Sequence, residues 1–216
     1  MKKLMFLFML VLPYCLFAQI GIKTGLNFAN VTKASSINGS SRSGFHGGLF
    51  LGGSTKKIFG FKTEFLYSKQ GYDYKSGSKT GTVDLDYITS ANLTCINITK
   101  YFQIQFGAQT AFLLNAKVDS STGASTGNAS FDKAMSFYNR FDYGFAGGIE
   151  IHPLSGLLIG ARINISFNNL YKDFSDPSSG STPPSFVPKV DVKNNLFQIF
   201  AGWKFGGNKK KEKKNK

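Results

Sequence analysis

Along most of this chain apolar and polar residues alternate at every second position, and the alternation persists longer than a soluble strand lasts. One face of residues 59–70 carries Phe59, Phe61, Thr63, Phe65 and Tyr67; the other carries Lys62, Glu64, Leu66, Ser68 and Gln70. The same pattern sets Phe102, Ile104, Phe106, Phe112 and Leu114 against Gln103, Gln105 and Gln109. It sets Tyr143, Phe145, Ile149 and Ile151 against Asp142 and Glu150. It recurs over 157–168 (Leu157, Ile159, Ile163, Ile165, Phe167 against Arg162 and Asn164) and over 197–205 (Phe197, Ile199, Trp203, Phe205 against Gln198 and Lys204). A period of two marks a strand with two unlike faces. Several of these runs last roughly 11 to 14 residues, against about 5–6 for a soluble strand and about 9–11 for one that crosses a bilayer.

Weaker versions at 20–28, 44–54 and 84–98 bring the expected strands to eight; Leu85, Tyr87, Ala91, Leu93 and Cys95 share a face in the last of these. Long and short links alternate between them. Short turns are expected at Thr55–Ile58, Thr99–Lys100 and His152–Gly156. Long polar loops are expected between the first two strands, near Gly71–Val83, from Asn115 to Tyr138, and from about Lys172 to Val192. Outer-membrane barrels sort their connections this way, with short periplasmic turns and long external loops. The sequence therefore predicts an all-β fold, an eight-stranded antiparallel up-and-down transmembrane β-barrel over residues 19–207.

The interior of eight strands is just wide enough for packed side chains, so it cannot take the Phe, Ile and Leu of so many long faces. Lipid can, and closure satisfies every backbone polar group. The apolar faces are therefore expected to point outward. Lys23, Lys62, Glu64, Asp142, Glu150 and Arg162 are expected to meet as a polar cluster in the lumen. Such charges must pair, because an unpaired buried charge costs several kcal/mol; a gating role is the alternative use. Phe59, Tyr101, Trp203 and Phe205 should form one aromatic girdle, and Tyr67, Tyr72, Tyr74, Tyr138, Tyr143 and Tyr171 the other. A soluble periplasmic lipid-binding barrel, apolar face inward, is the competing fold reading.

Residues 1–18, MKKLMFLFMLVLPYCLFA, read as a secretory signal peptide: Lys2 and Lys3, a short apolar stretch, Pro13, then Ala18 before Gln19. Its removal leaves Cys95 alone, so no intramolecular disulfide is expected. The formal charge of +14 is concentrated at the ends; residues 208–216 form a lysine-rich tail, read as a disordered periplasmic appendage, and about +7 remains in between. That balance does not call for a nucleic-acid partner. His46 and His152 are the only histidines. No cofactor, metal site or catalytic set is expected; His46 with a loop serine is the one candidate for a lipid A-modifying enzyme.

The mature start AQIGIKTGLNFANV and the end NNLFQIFAGWKF resemble the outer-membrane β-barrel family of Bacteroidota, the PorT-like or "porin family" barrels of the OmpA/OmpX-like group. The resemblance implies an outer-membrane location and partners of three kinds: outer-membrane lipid, the barrel assembly machinery, and envelope proteins at the long loops. Gln198, Trp203 and Phe205 look like the signal that the assembly machinery reads. The expected glycine falls at Gly202 rather than at position 200, and the lysine extension past Phe205 is a further departure. The expected function is a non-enzymatic structural, adhesion or envelope-complex role, with a small channel as the alternative.

Overall fold

The polypeptide forms eight strands in chain order: β1 (Ile20–Thr32), β2 (Ser40–Gly52), β3 (Phe59–Ser76), β4 (Lys79–Asn97), β5 (Phe102–Ser120), β6 (Phe141–Ile151), β7 (Leu157–Ser166) and β8 (Lys193–Lys204). The computed structural model describes residues 19–32, 40–55, 57–76, 79–120, 137–172 and 192–205; the expected signal peptide and lysine tail lie outside them. Each strand pairs antiparallel with its sequence neighbour, and β1 pairs with β8 from Gly21↔Lys204 to Thr32↔Lys193, which closes the barrel. Among the described residues every strand has a hydrogen-bonded neighbour on both sides, the condition for crossing hydrocarbon with strands.

The pleat then decides what faces where. Phe61 is 76% exposed and Ile163 53%, whereas Lys62 and Arg162, one residue away on the same strands, are each 1% exposed. Phe65, Phe145, Ile159 and Ile199 join the outer surface. An exposed apolar band of this extent has no stable place in water, so the outside of the barrel faces lipid and the soluble lipid-binding alternative falls. Phe59, Tyr101, Trp203 and Phe205 are exposed at the end where the short turns lie.

Three expectations change. The segment Gly71–Val83 is not a loop: β3 and β4 stay in register from Phe59↔Ile96 to Ser76↔Lys79, leaving only residues 77–78 between them. The alternation continues there, with Tyr72, Val83 and Leu85 turned inward, so pairing and packing both extend the strands. β5 likewise runs on to Ser120, through the stretch expected to loop from Asn115, because Ala116 packs in the same core. As a result β3, β4 and β5 span 18, 19 and 19 residues, against 11 and 10 for β6 and β7. One wall of the barrel is longer than the other by roughly 25 Å of strand.

The third change concerns faces. In β4 the apolar side turns inward: Leu85, Tyr87, Ala91, Leu93 and Cys95 are all buried. The expected outer girdle also divides. Tyr67 and Tyr143 face outward, but Tyr72, Tyr138 and Tyr171 are buried inside the barrel, and the side chain of Tyr74 lies outside the described residues. These inward tyrosines join Val83, Leu85, Tyr87, Leu113 and Leu170 in an apolar core that fills the end with the long connections. Tyr72 meets the hydroxyls of both Tyr138 (3.3 Å) and Tyr171.

Candidate functional site

The polar cluster occupies the other half of the lumen, between the tyrosine core and the short turns. Glu64 on β3 is its hub. The Arg162 guanidinium reaches across from β7 and grips both Glu64 oxygens, Nη1 to Oε2 at 2.7 Å and Nη2 to Oε1 at 2.9 Å. Lys23 on β1 donates to the same carboxylate at 2.8 Å. A second carboxylate, Glu150 on β6, takes Lys62 at 2.6 and 2.8 Å. Gln105 on β5 joins the two halves: its amide nitrogen donates to Glu150 (2.7 Å) while its oxygen accepts from Arg162 (2.7 Å). A fork of donors matched to a carboxylate is the strong form of ion pair.

Three cations therefore meet two carboxylates, and aromatic faces carry part of the surplus. Lys23 Nζ lies 3.6 Å from the centre of the Phe200 ring, with the Arg162 guanidinium 5.3 Å from it, and Lys62 lies 5.0 Å above Phe50. The electron-rich ring faces favour cations where water is absent. Glycine makes room for these groups. A Cβ at Gly21 would meet the Phe50 ring at 2.1 Å, and one at Gly53, whose φ is +72°, would meet Lys62 Cε at 2.5 Å.

Amides extend the network in both directions. Toward the tyrosine core, Asn27 Oδ1 lies 2.8 Å from His46 Nδ1 and accepts from Gln198 at 2.9 Å, and Asn164 donates to Gln198 at 3.0 Å. Asn27 also donates to Ser68, and Gln70 and Asn194 continue the chain. Toward the short turns, Gln103 donates to Asn97 at 2.6 Å, and Asn97 caps the Ser54 and Lys57 carbonyls. Lys204 donates to the Gly53 carbonyl at 2.7 Å, and His152 Nε2 stands 3.1 Å from Glu150. Below this floor a vestibule of about 510 Å³ opens, lined in part by Lys100, Tyr101, His152, Leu154 and Lys204.

Of the six residues expected to cluster, five do. Asp142 does not. It faces inward but higher up, where it accepts from the Ser166 hydroxyl. The face was right and the height was not: alternation assigns a side, while depth depends on register across the barrel. Gln198 faces the lumen in mid-barrel, whereas Trp203 and Phe205 face outward nearer the short turns. His46 is fully enclosed against Asn27 and the edge of Phe200, at a different level from His152, and is closed to solvent. The linking roles of Gln105, Asn27 and Phe200 were missed. Their shared inward face was legible, but their contacts join residues as far apart in sequence as Asn27 and Gln198. Among the described residues no group of three His, Cys, Asp or Glu side chains is placed to hold a metal ion.

A closed barrel with a greasy outside and a charged, hydrogen-bonded inside has the physical form of an outer-membrane protein, and the sequence agrees: residues 13–172 match the family described as outer membrane protein beta-barrel domain. The chain belongs to this family. It is a protein of the bacterial outer membrane. Among solved structures it is similar to Neisserial surface protein A, at 14% identity over 86% of this chain and 97% of that one, with a TM-score of 0.51. Ail, the attachment invasion locus protein of Yersinia pestis, solved with the heparin analogue sucrose octasulfate, is 17% identical (87% and 99% covered, TM-score 0.46). OprG of Pseudomonas aeruginosa is 14% identical (87% and 96% covered, TM-score 0.46). At these identities the likeness is one of fold. No curated protein matches the chain in sequence.

Proposed function

We propose that this outer-membrane barrel is a sealed, non-enzymatic anchor whose task is performed at its surface, as an adhesion or structural component or as a subunit of an envelope complex. The observation that carries the reading is the burial of the lumen network. Lys23, Lys62, Glu64, Gln103, Gln105, Glu150 and Arg162 are each 0–2% exposed. A standing aqueous pore would wet these side chains; here protein atoms enclose them all. The higher wall of β3, β4 and β5 supplies the surface, and Arg42 braces it by bridging Asp73 and Asp84 at 3.4 and 3.2 Å.

The same reading covers the remaining expectations. Residues 1–18 direct export and are removed. Gln198, Trp203 and Phe205 present the last strand to the assembly machinery, outer-membrane lipid surrounds the belt, and envelope proteins meet the long connections. The opening and closing strands keep their kinship with PorT-like barrels. The enclosure of His46 speaks against lipid A chemistry, which needs a group that a lipid headgroup can reach.

A gated channel is the second reading, favoured by the vestibule that leads up to His152 and Glu150. Conduction would require the Lys62–Glu150 pair to part. Reconstitution into planar bilayers separates the two: the sealed anchor gives no stable conductance, and regular single-channel steps from the wild-type protein would establish the channel.

A further inference from the structure

The lipid-facing surface is apolar around most of the barrel, but on β4 it is not. Between Ile88 and Ile96 the outward residues are Ser90, Asn92 and Thr94. Strand pairing sets Thr63 of β3 beside Asn92, and Ala108 on its other side; Thr110 of β5 lies beside Ser90. Four hydroxyls and one amide thus form a single patch. Phe61 and Phe106 flank Thr94, and Phe65 lies next to Ser90. The patch is a shallow polar gap in an aromatic belt.

Its depth gives it meaning. Asn92 lies five residues above the end of β4, roughly 13 Å along the membrane normal for a tilted strand and near the middle of an apolar band about 25 Å tall. Only part of the patch is satisfied within the chain. Thr63 donates to Asn92 Oδ1 at 2.9 Å, and Asn92 itself is exposed on the outer face. Thr24 shows the alternative: also outward, it donates to the His46 carbonyl on the adjacent strand. Polar groups at bilayer depth face lipid at a cost and mark contacts within the membrane.

We propose that the chain pairs with a second copy of itself through this patch, β4 against β4. Two copies inserted in the same orientation that meet through the same face are related by a two-fold axis along the membrane normal. Each residue then meets residues of its own depth, Asn92 close to Asn92. An amide carries both donors and an acceptor, and a hydroxyl does the same, so the patch complements itself with no partner of opposite charge. Ala108 and Ser90 are small enough to let the two sheets approach, and the surrounding Phe rings close the rim. A C2 contact of like with like is the commonest way for a chain to self-associate.

The test is an Asn92→Cys variant oxidised in native outer membranes. Cys95 is buried in the lumen, and the parent chain under the same oxidation controls for it. The expected result is a disulfide-linked band at twice the chain mass, at least tenfold above that from Ile163→Cys on the opposite wall. Equal yields from the two positions, or a product with a protein of different mass, would overturn the proposal. Asn92→Leu provides the second measurement. With the folded barrel verified by heat-modifiable migration, it should sediment as a monomer in mild detergent where the wild type sediments as a dimer. A monomeric wild type, or an unchanged dimer in Asn92→Leu, would overturn it equally.

Discussion

The two halves of the lumen reach closure by different physics. Near the short turns, Glu64, Arg162, Lys23, Glu150 and Lys62 fill the space with ion pairs held by Gln105. Near the long connections, Leu85, Tyr87, Leu113, Tyr138 and Tyr171 fill it with a core like that of a soluble protein. An apolar core tolerates loss of one member by partial collapse around the gap. An ion network does not, because removing one partner leaves the others charged and dry. The difference teaches that the barrel's interior is brittle at one end and forgiving at the other.

The largest effect should come from the brittle end. Glu64→Gln leaves Arg162 and Lys23 without their directly paired carboxylate, and urea unfolding in detergent should show a loss of about 3–5 kcal/mol. Replacing the three together (Glu64→Leu, Arg162→Met, Lys23→Met) should recover much of that loss, since apolar groups of similar volume often replace a buried ion network at little cost. No recovery would mean that the pairs do more than cancel their own burial.

Leu113→Ala comes next, at about 2–5 kcal/mol depending on how far the core relaxes. The smallest effect sharpens the comparison most. Tyr171→Phe removes one hydroxyl from the contact with Tyr72 and should cost about 1 kcal/mol by the same unfolding measurement. Burial also raises the Tyr171 phenol above its ordinary value of 10.0. The folded state therefore holds that proton more tightly than the unfolded chain does. The contribution is level through neutral pH and declines as pH rises past about 10, where the unfolded phenol ionises; in Tyr171→Phe that alkaline decline should shrink.

Much of this was legible from alternation alone, and particular residues show where legibility stops. β7 and β8 read correctly because one face held Arg162, Asn164 or Gln198 and the other held Ile, Phe and Trp. β4 did not, because Leu85, Tyr87 and Leu93 against Ser90, Asn92 and Thr94 make an equally good strand whichever way it is turned. Only its neighbours, β3 and β5, settle the direction through the pleat. Tyr72, Tyr138 and Tyr171 read as a girdle because nearness to a loop in sequence fixes height but not side. Glu64 and Glu150 could be placed inward, but their choice between Arg162, Lys23 and Lys62 depends on cross-barrel distances that no local pattern carries.

The central claim is that charges seal a dry lumen while the apolar faces meet lipid. Spin labels at Phe145, Ile163 and Phe197, compared with labels at Gln105 and Leu93, test it in a bilayer. Frequent collisions with oxygen and few with a water-soluble nickel complex at the first three, and shielding from both at the last two, are the predicted result. Ready collision of the nickel complex with the label at Gln105 would reveal a water-filled interior and contradict the account.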